Sequence, residues 1–165
     1  MPNITLTWSP SLYVPADVQY GIYDWIFYVQ WRRSDNDAQL PTGSGLYIVQ
    51  NAAGDPIYAG QATNFRSRFH SRSDVLQDLG IAREATALAH RVDRATVNPA
   101  NQLNLAERWL VRTLYLADQA KMTQILQNVL LTVPFQAPAD GLDITNNNRP
   151  AYLNEDYSYA GGANI

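Results

Sequence analysis

The chain has 165 residues, 46% of them hydrophobic, which is enough for one domain with a real core. It contains no cysteine, so disulfides, thiolate metal sites and cysteine nucleophiles are excluded. Its formal net charge of −3 argues against a surface that is basic all over, and no apolar run approaches the ~18 residues of a membrane span.

The start, "MPNITLTWSP", has no basic stretch of the kind that opens a secretory signal, and a protein exported by a signal-free route would look the same. Residues 1–44 are rich in aromatics, and Tyr23, Trp25, Phe27, Val29 and Trp31 alternate with period two, the mark of a strand with one apolar side. A polar loop follows. "GLYIVQ" (45–50) and "PIYAG" (56–60) read as two strands joined by the turn "NAAGD", a hairpin. Thr63 can cap a helix over 64–72 with Phe65 and Phe69 inward, and Ser73–Asp74 can start a second short helix. "ATALAHRVD" (85–93) is a candidate third strand. "NPANQLNLAERWLVRTLYLADQ" is the clearest helix, with Asn98 expected as its cap and Pro99 in its first position. Another amphipathic helix is expected over 120–131. After Pro134 the chain turns polar, and its end reads as loosely ordered.

Charge is unevenly spread. Between Gly60 and Arg112 there are eight arginines against five acids, whereas the rest of the chain is acidic. The basic residues are eleven arginines and one lysine, Lys121. Arginine is the better side chain for bidentate phosphate contacts, although most surface arginines are solvated or ion-paired.

Two triplets stand out, Gly45-Leu46-Tyr47 and Tyr58-Ala59-Gly60, with an eleven-residue step from Tyr47 to Tyr58. Together with Arg68, eight residues after Gly60, and Glu107 in "LAERWLVR", they resemble the signature of the GIY-YIG nuclease superfamily. The resemblance covers roughly residues 43–119. A second "GIY" at Gly21-Ile22-Tyr23 is followed too soon by Tyr28 and by no "YxG", and is read as a decoy.

The resemblance implies an α/β (α+β) fold: a small mixed three-stranded sheet flanked by helices. The aromatic N-terminal region is read as adding a strand or hairpin, or as a docking surface. One domain is expected over 1–165, with an extension at 1–44, a catalytic core at 45–119 and a C-terminal helix and polar tail at 120–165. The implied activity is a metal-dependent endonuclease acting on DNA, with RNA as a second substrate class. Glu107 would hold Mg²⁺ or Mn²⁺; a hard cation bound by one carboxylate and several waters suits such a lone glutamate. Tyr47 would activate or orient the attacking water, Tyr58 would position water and phosphate, and Arg68 would grip a phosphoryl oxygen with its planar fork. Gly60 is expected to let the chain turn from strand into helix. Gln61 stands where the family often has lysine, and Gln61, Asn64, Arg66 and Arg72 are candidate substrate contacts. His70 is a candidate base or phosphate donor, but the family's usual histidine position, four residues after the arginine, holds Arg72. Asn146, Asn147 and Asn148 resemble a late bracing asparagine, at long spacing from Glu107.

Each residue also has a plain structural reading: strand tyrosines are often half-buried core residues, and a helical glutamate is often an ion-pair partner. Two other functions therefore stay open: an inactive nucleic-acid-binding module of the same fold, and an interaction protein docking through its aromatic N-terminal region. The role could be restriction-like or toxin-like. The acidic balance implies weak non-specific DNA affinity unless a protein partner or a homodimer adds to it. No membrane association is expected, and the location is cytoplasmic or inside a target cell.

Overall fold

In a computed structural model, the described residues are 3–13, 32–33, 43–51, 53–65, 89–126, 128, 133–153 and 156–165. The Tyr23–Trp31 strand, the decoy triplet, most of the 64–72 helix and the helix at 73–80 fall outside them.

The expected hairpin is present as β3 (Gly45–Asn51) and β4 (Pro56–Ala62), preceded by β1 (Asn3–Tyr13) and a two-residue β2 (Arg32–Arg33). Asn51 closes the turn: its backbone carbonyl accepts from Gly54 N, and its Oδ1 accepts from Asp55 N. Such self-bonding is what makes asparagine a turn residue. Proline cannot donate to a ladder, so Pro56 opens its strand rather than interrupting it. The third strand is β5 (Ala89–Asn98), displaced toward the C-terminus from the expected 85–93. It pairs antiparallel with β3, placing Leu46 opposite Ala95 and Ile48 opposite Asp93.

This three-stranded unit is only part of the sheet. The strand path is β4-β3-β5-β1-β6-β7, where β6 is Leu142–Asn147 and β7 is Asp156–Tyr159, and β2 pairs with the far end of β1. The expectation of three strands is thus corrected to six along the path. The N-terminal region does add a strand, but in the interior of the sheet: β1 pairs antiparallel with β5 and parallel with β6. Pro10 lies in the register break of β1 between Ser9 and Leu12, where a missing N–H costs no regular ladder bond. The polar tail is likewise not loose. Leu142, Ile144 and Asn146 of β6 alternate inward, and Phe135 exchanges backbone hydrogen bonds with Ile165 at 3.0 and 2.9 Å.

Asn98 ends β5 instead of capping a helix. A 3-10 turn (Ala100–Gln102) intervenes, and α1 runs over Leu103–Ala117 with no side-chain cap at Gln102. The second helix, α2, covers only Gln119–Ile125, capped by the Asp118 side chain, which accepts from Lys121 N. Ala106, Trp109, Leu110 and Leu114 form the buried stripe of α1 at helical spacing. That stripe packs with Ile4, Leu6, Leu46, Ile48, Ala59, Ala95, Leu142 and Ile144 from the sheet in one core. Trp109, fully buried, donates its indole N–H to the Tyr159 hydroxyl at 3.0 Å.

Candidate active site

The hairpin sets two tyrosines and a glycine on one side of the sheet. Tyr47 on β3 and Gly60 on β4 are cross-strand partners, so their side-chain positions share a face, and Tyr58 lies two residues from Gly60 on that same face. The rings of Tyr47 and Tyr58 stack with centroids 6.1 Å apart and planes at 26°. Gly60 is inside β4, which continues to Ala62, so its glycine does not serve the strand-to-helix turn. It serves Tyr47: a Cβ built at Gly60 would meet the Tyr47 hydroxyl at 2.7 Å and Cζ at 2.8 Å. The phenol of Tyr47 lies in the space that the missing side chain leaves.

Tyr58 and Glu107 line one cleft of about 320 Å³, together with Arg108, Val111, Arg112, Asn128, Val133, Pro134 and Phe135. Glu107, Arg108, Val111 and Arg112 make a stripe of α1 beside the buried one, so the helix carries core and cleft on adjacent flanks. Gln61, the next residue but two after Tyr58, donates its amide to Asn104 Oδ1 at 2.6 Å, one turn before Glu107. That bond ties β4 to the glutamate's helix. Tyr47, at 2% exposure, is not among the lining residues and reaches the cleft through its ring contact with Tyr58. Asn64 is half-buried at the end of the hairpin. Arg66, Arg68, His70 and Arg72 lie outside the described residues.

Three cleft residues were not singled out from the sequence. Arg108 and Arg112 were legible in principle, because they follow Glu107 on the same flank of an obvious helix. Arg112 is held by its Nε, which donates to the Ile165 carbonyl at 2.9 Å, and by a cation–π contact with Tyr115 at 5.4 Å. Asn128 left no such signal. Its Nδ2 donates to the Ala59 carbonyl at 2.7 Å and its Oδ1 accepts from Ala59 N at 3.0 Å, as a neighbouring strand would. β4 is an edge of the sheet, and Asn128 closes that edge beside Tyr58. Asn146 does not line this cleft: buried in β6, its Oδ1 accepts from the Trp8 indole at 3.0 Å.

Electrostatically the cleft sets two guanidinium groups against one carboxylate, an excess of positive charge suited to an anionic ligand. Among the described residues there is no group of three or more His, Cys, Asp or Glu side chains that could hold a metal. The half-buried Glu107 carboxylate and the Tyr58 phenol, bordering an open cleft, fit a hydrated hard cation that keeps most of its waters.

No family model matches the chain, and no solved structure matches it. A 34-residue stretch, 21% of the chain, is 56% identical to UvrABC system protein C of Chlorobium luteolum. A 32-residue stretch, 19% of the chain, is 56% identical to UvrABC system protein C of Acidobacterium capsulatum. In both cases the matched stretch spans 5% of the relative's length.

Proposed function

We propose that the chain is a metal-dependent nuclease of the GIY-YIG type that hydrolyses phosphodiester bonds of DNA in the cleft of Tyr58 and Glu107. The observation that supports this reading best is the meeting of Tyr58 and Glu107, far apart in sequence, in one cleft with two arginines. The short similarity to UvrABC system protein C is in keeping with a nuclease-related region.

In the reaction a water oxygen attacks phosphorus, one P–O ester bond breaks, and the departing oxygen takes up a proton. Arg108 and Arg112 hold the non-bridging oxygens, where planar forks offset the charge that develops. The Tyr58 hydroxyl orients the water or the phosphate, and Tyr47 keeps the Tyr58 ring in place. Glu107 would hold Mg²⁺ or Mn²⁺, which would supply Lewis acidity to offset the negative charge that develops in the reaction. Arg68 keeps its proposed role as a further phosphoryl contact.

A non-cutting nucleic-acid-binding module is the second reading, and the burial of Tyr47 away from the cleft surface is the observation that favours it. Incubation with plasmid, linear DNA and RNA, with Mg²⁺, Mn²⁺ or a chelator, separates the two. Cleavage that needs the metal and disappears in Glu107→Ala supports the nuclease; binding without cleavage under every condition refutes it. General degradation of DNA would indicate a toxin-like role, and discrete fragments a restriction-like one.

A further inference from the structure

A second polar centre lies away from this cleft and shares no lining residue with it. Gln50, fully buried on β3, donates its amide to Asp93 Oδ2 and, at 2.9 Å, to the Tyr152 hydroxyl. Tyr152 in turn donates to Asp93 Oδ2 at 2.8 Å. Arg91 donates to Gln50 Oε1 at 2.6 Å, and its Nε stands 3.8 Å from Asp93 Oδ1. Burial, with the Asp93 charge next, pushes the Tyr152 phenol pKa far up, so this hydroxyl remains a neutral donor. The buried Asp93 carboxylate is therefore compensated from within.

Beside this cluster opens a cavity of about 460 Å³, bounded by Trp8 and Ser9 of β1, Arg91 and Asp93 of β5, and the turn Asn148–Ala151 after β6. Asn148 adopts φ 55°, the left-handed conformation that asparagine tolerates, at the start of that turn. Arg149 follows. Its Nε donates to the Leu153 carbonyl at 3.2 Å, which fixes the plane of the guanidinium. Its terminal nitrogens make no hydrogen bond or ion pair with the described residues.

We propose that this cavity is a binding site for a phosphate group, held by the Arg149 guanidinium. The Asp93 charge is already met by an amide, a phenol and Arg91, so Arg149 leaves the cavity a net attraction for anions. Phosphate, with several acceptor oxygens, matches the planar fork of Arg149 better than a point anion does. The Ser9 hydroxyl and the Asn148 amide offer further donors at the wall. The phosphate belongs either to a nucleic-acid strand also engaged at the cleft, which rests on the proposed function, or to a small phosphate ester, which does not.

The test uses the full chain carrying Glu107→Gln, so that no DNA is cut, with and without Arg149→Ala. Inorganic phosphate is titrated by ³¹P NMR, and a short duplex DNA is titrated at several salt concentrations. Saturable phosphate binding that weakens at least ~10-fold in Arg149→Ala is expected, the loss of one charge-assisted fork. A salt slope for DNA that falls by about one in the variant assigns the phosphate to the strand. Unchanged DNA binding alongside lost phosphate binding assigns it to a small ester. No phosphate binding, or binding indifferent to Arg149→Ala, overturns the proposal. Phosphate binding alongside a wild-type chain that cuts no DNA with any metal would keep this site and remove the nuclease reading alone.

Discussion

Gly60→Ala tests the arrangement of the two tyrosines most directly. The added methyl would sit 2.7 Å from the Tyr47 hydroxyl, 2.8 Å from Cζ and 3.2 Å from Cε1, so most of the outer ring is in its way. The ring must retreat by roughly 0.7 Å to regain ordinary contact, and overpacking of this kind costs ~1–3 kcal/mol. Retreat is not cheap here, because Tyr47 is 2% exposed and stacked on Tyr58. Against this, alanine in a strand gains ~0.5–1 kcal/mol over glycine in the unfolded chain. A net loss of about 0–2.5 kcal/mol remains, centred near 1 kcal/mol, or roughly 2–4 °C in Tm at that centre for a chain of this size. Urea denaturation followed by circular dichroism measures it. Gly43→Ala is the control, since nothing lies within 4 Å of a Cβ there, and it should be neutral. If Gly60→Ala is more stable than wild type, Tyr47 is not held in the glycine's space and the account of the hairpin is wrong.

Tyr58→Phe should lower the single-turnover cleavage rate by ~10²-fold with DNA affinity unchanged, whereas Tyr47→Phe, whose ring rather than hydroxyl supports the site, should stay within a few-fold. Arg108→Ala should weaken DNA binding for all sequences alike and reduce the salt slope by about one, read from anisotropy titrations at several ionic strengths. Asn128→Ala removes both bonds to the Ala59 backbone on an edge strand and should cost ~1–3 kcal/mol in urea denaturation, with a visible loss of hydrogen-exchange protection at Ala59. The phenol pKa values of Tyr152 and Tyr159 are raised, by burial first, above their ordinary value of 10.0. The unfolded chain therefore loses these protons first, so stability is complete below pH 10 and falls as pH rises beyond it, by at most about 1.4 kcal/mol per pH unit from Tyr152. Denaturation curves at pH 8 to 11 should show this fall, and Tyr152→Phe should flatten it relative to its own value at pH 8.

The parts legible in the sequence were those whose signal is local. The hairpin carries its own turn in Asn51 and Gly54, and α1 shows its buried stripe from Ala106 to Leu114 without outside help. Tyr58 and Glu107, which the structure brings to one cleft, each stand out in the sequence by their local context. The strands beyond the three-stranded unit were not, because their evidence is non-local or obscured. β1 contains Pro10, and β6 ends in asparagines that read as loop, although Leu142 and Ile144 alternate as a strand should. Their strand character comes from pairing with each other across most of the chain. The Asn128 brace depends on where the chain passes after α2, which no spacing reveals.

The parallel pairing of β1 with β6 has a kinetic consequence. Both neighbours of β1 along the sheet, β5 and β6, are made after it, and the second joins it only when residues 143–147 are available. During synthesis the strand must wait with Ile4, Leu6 and Trp8 uncovered, at risk of pairing with another nascent chain. Closing so long a loop to seat a parallel strand is entropically slow, so refolding from denaturant should be a matter of milliseconds to seconds or longer, not microseconds. A protein built this way gains its complete core only when its last strands dock. Aggregation on refolding should accordingly rise steeply with protein concentration and be suppressed when the first strand is shielded during that wait.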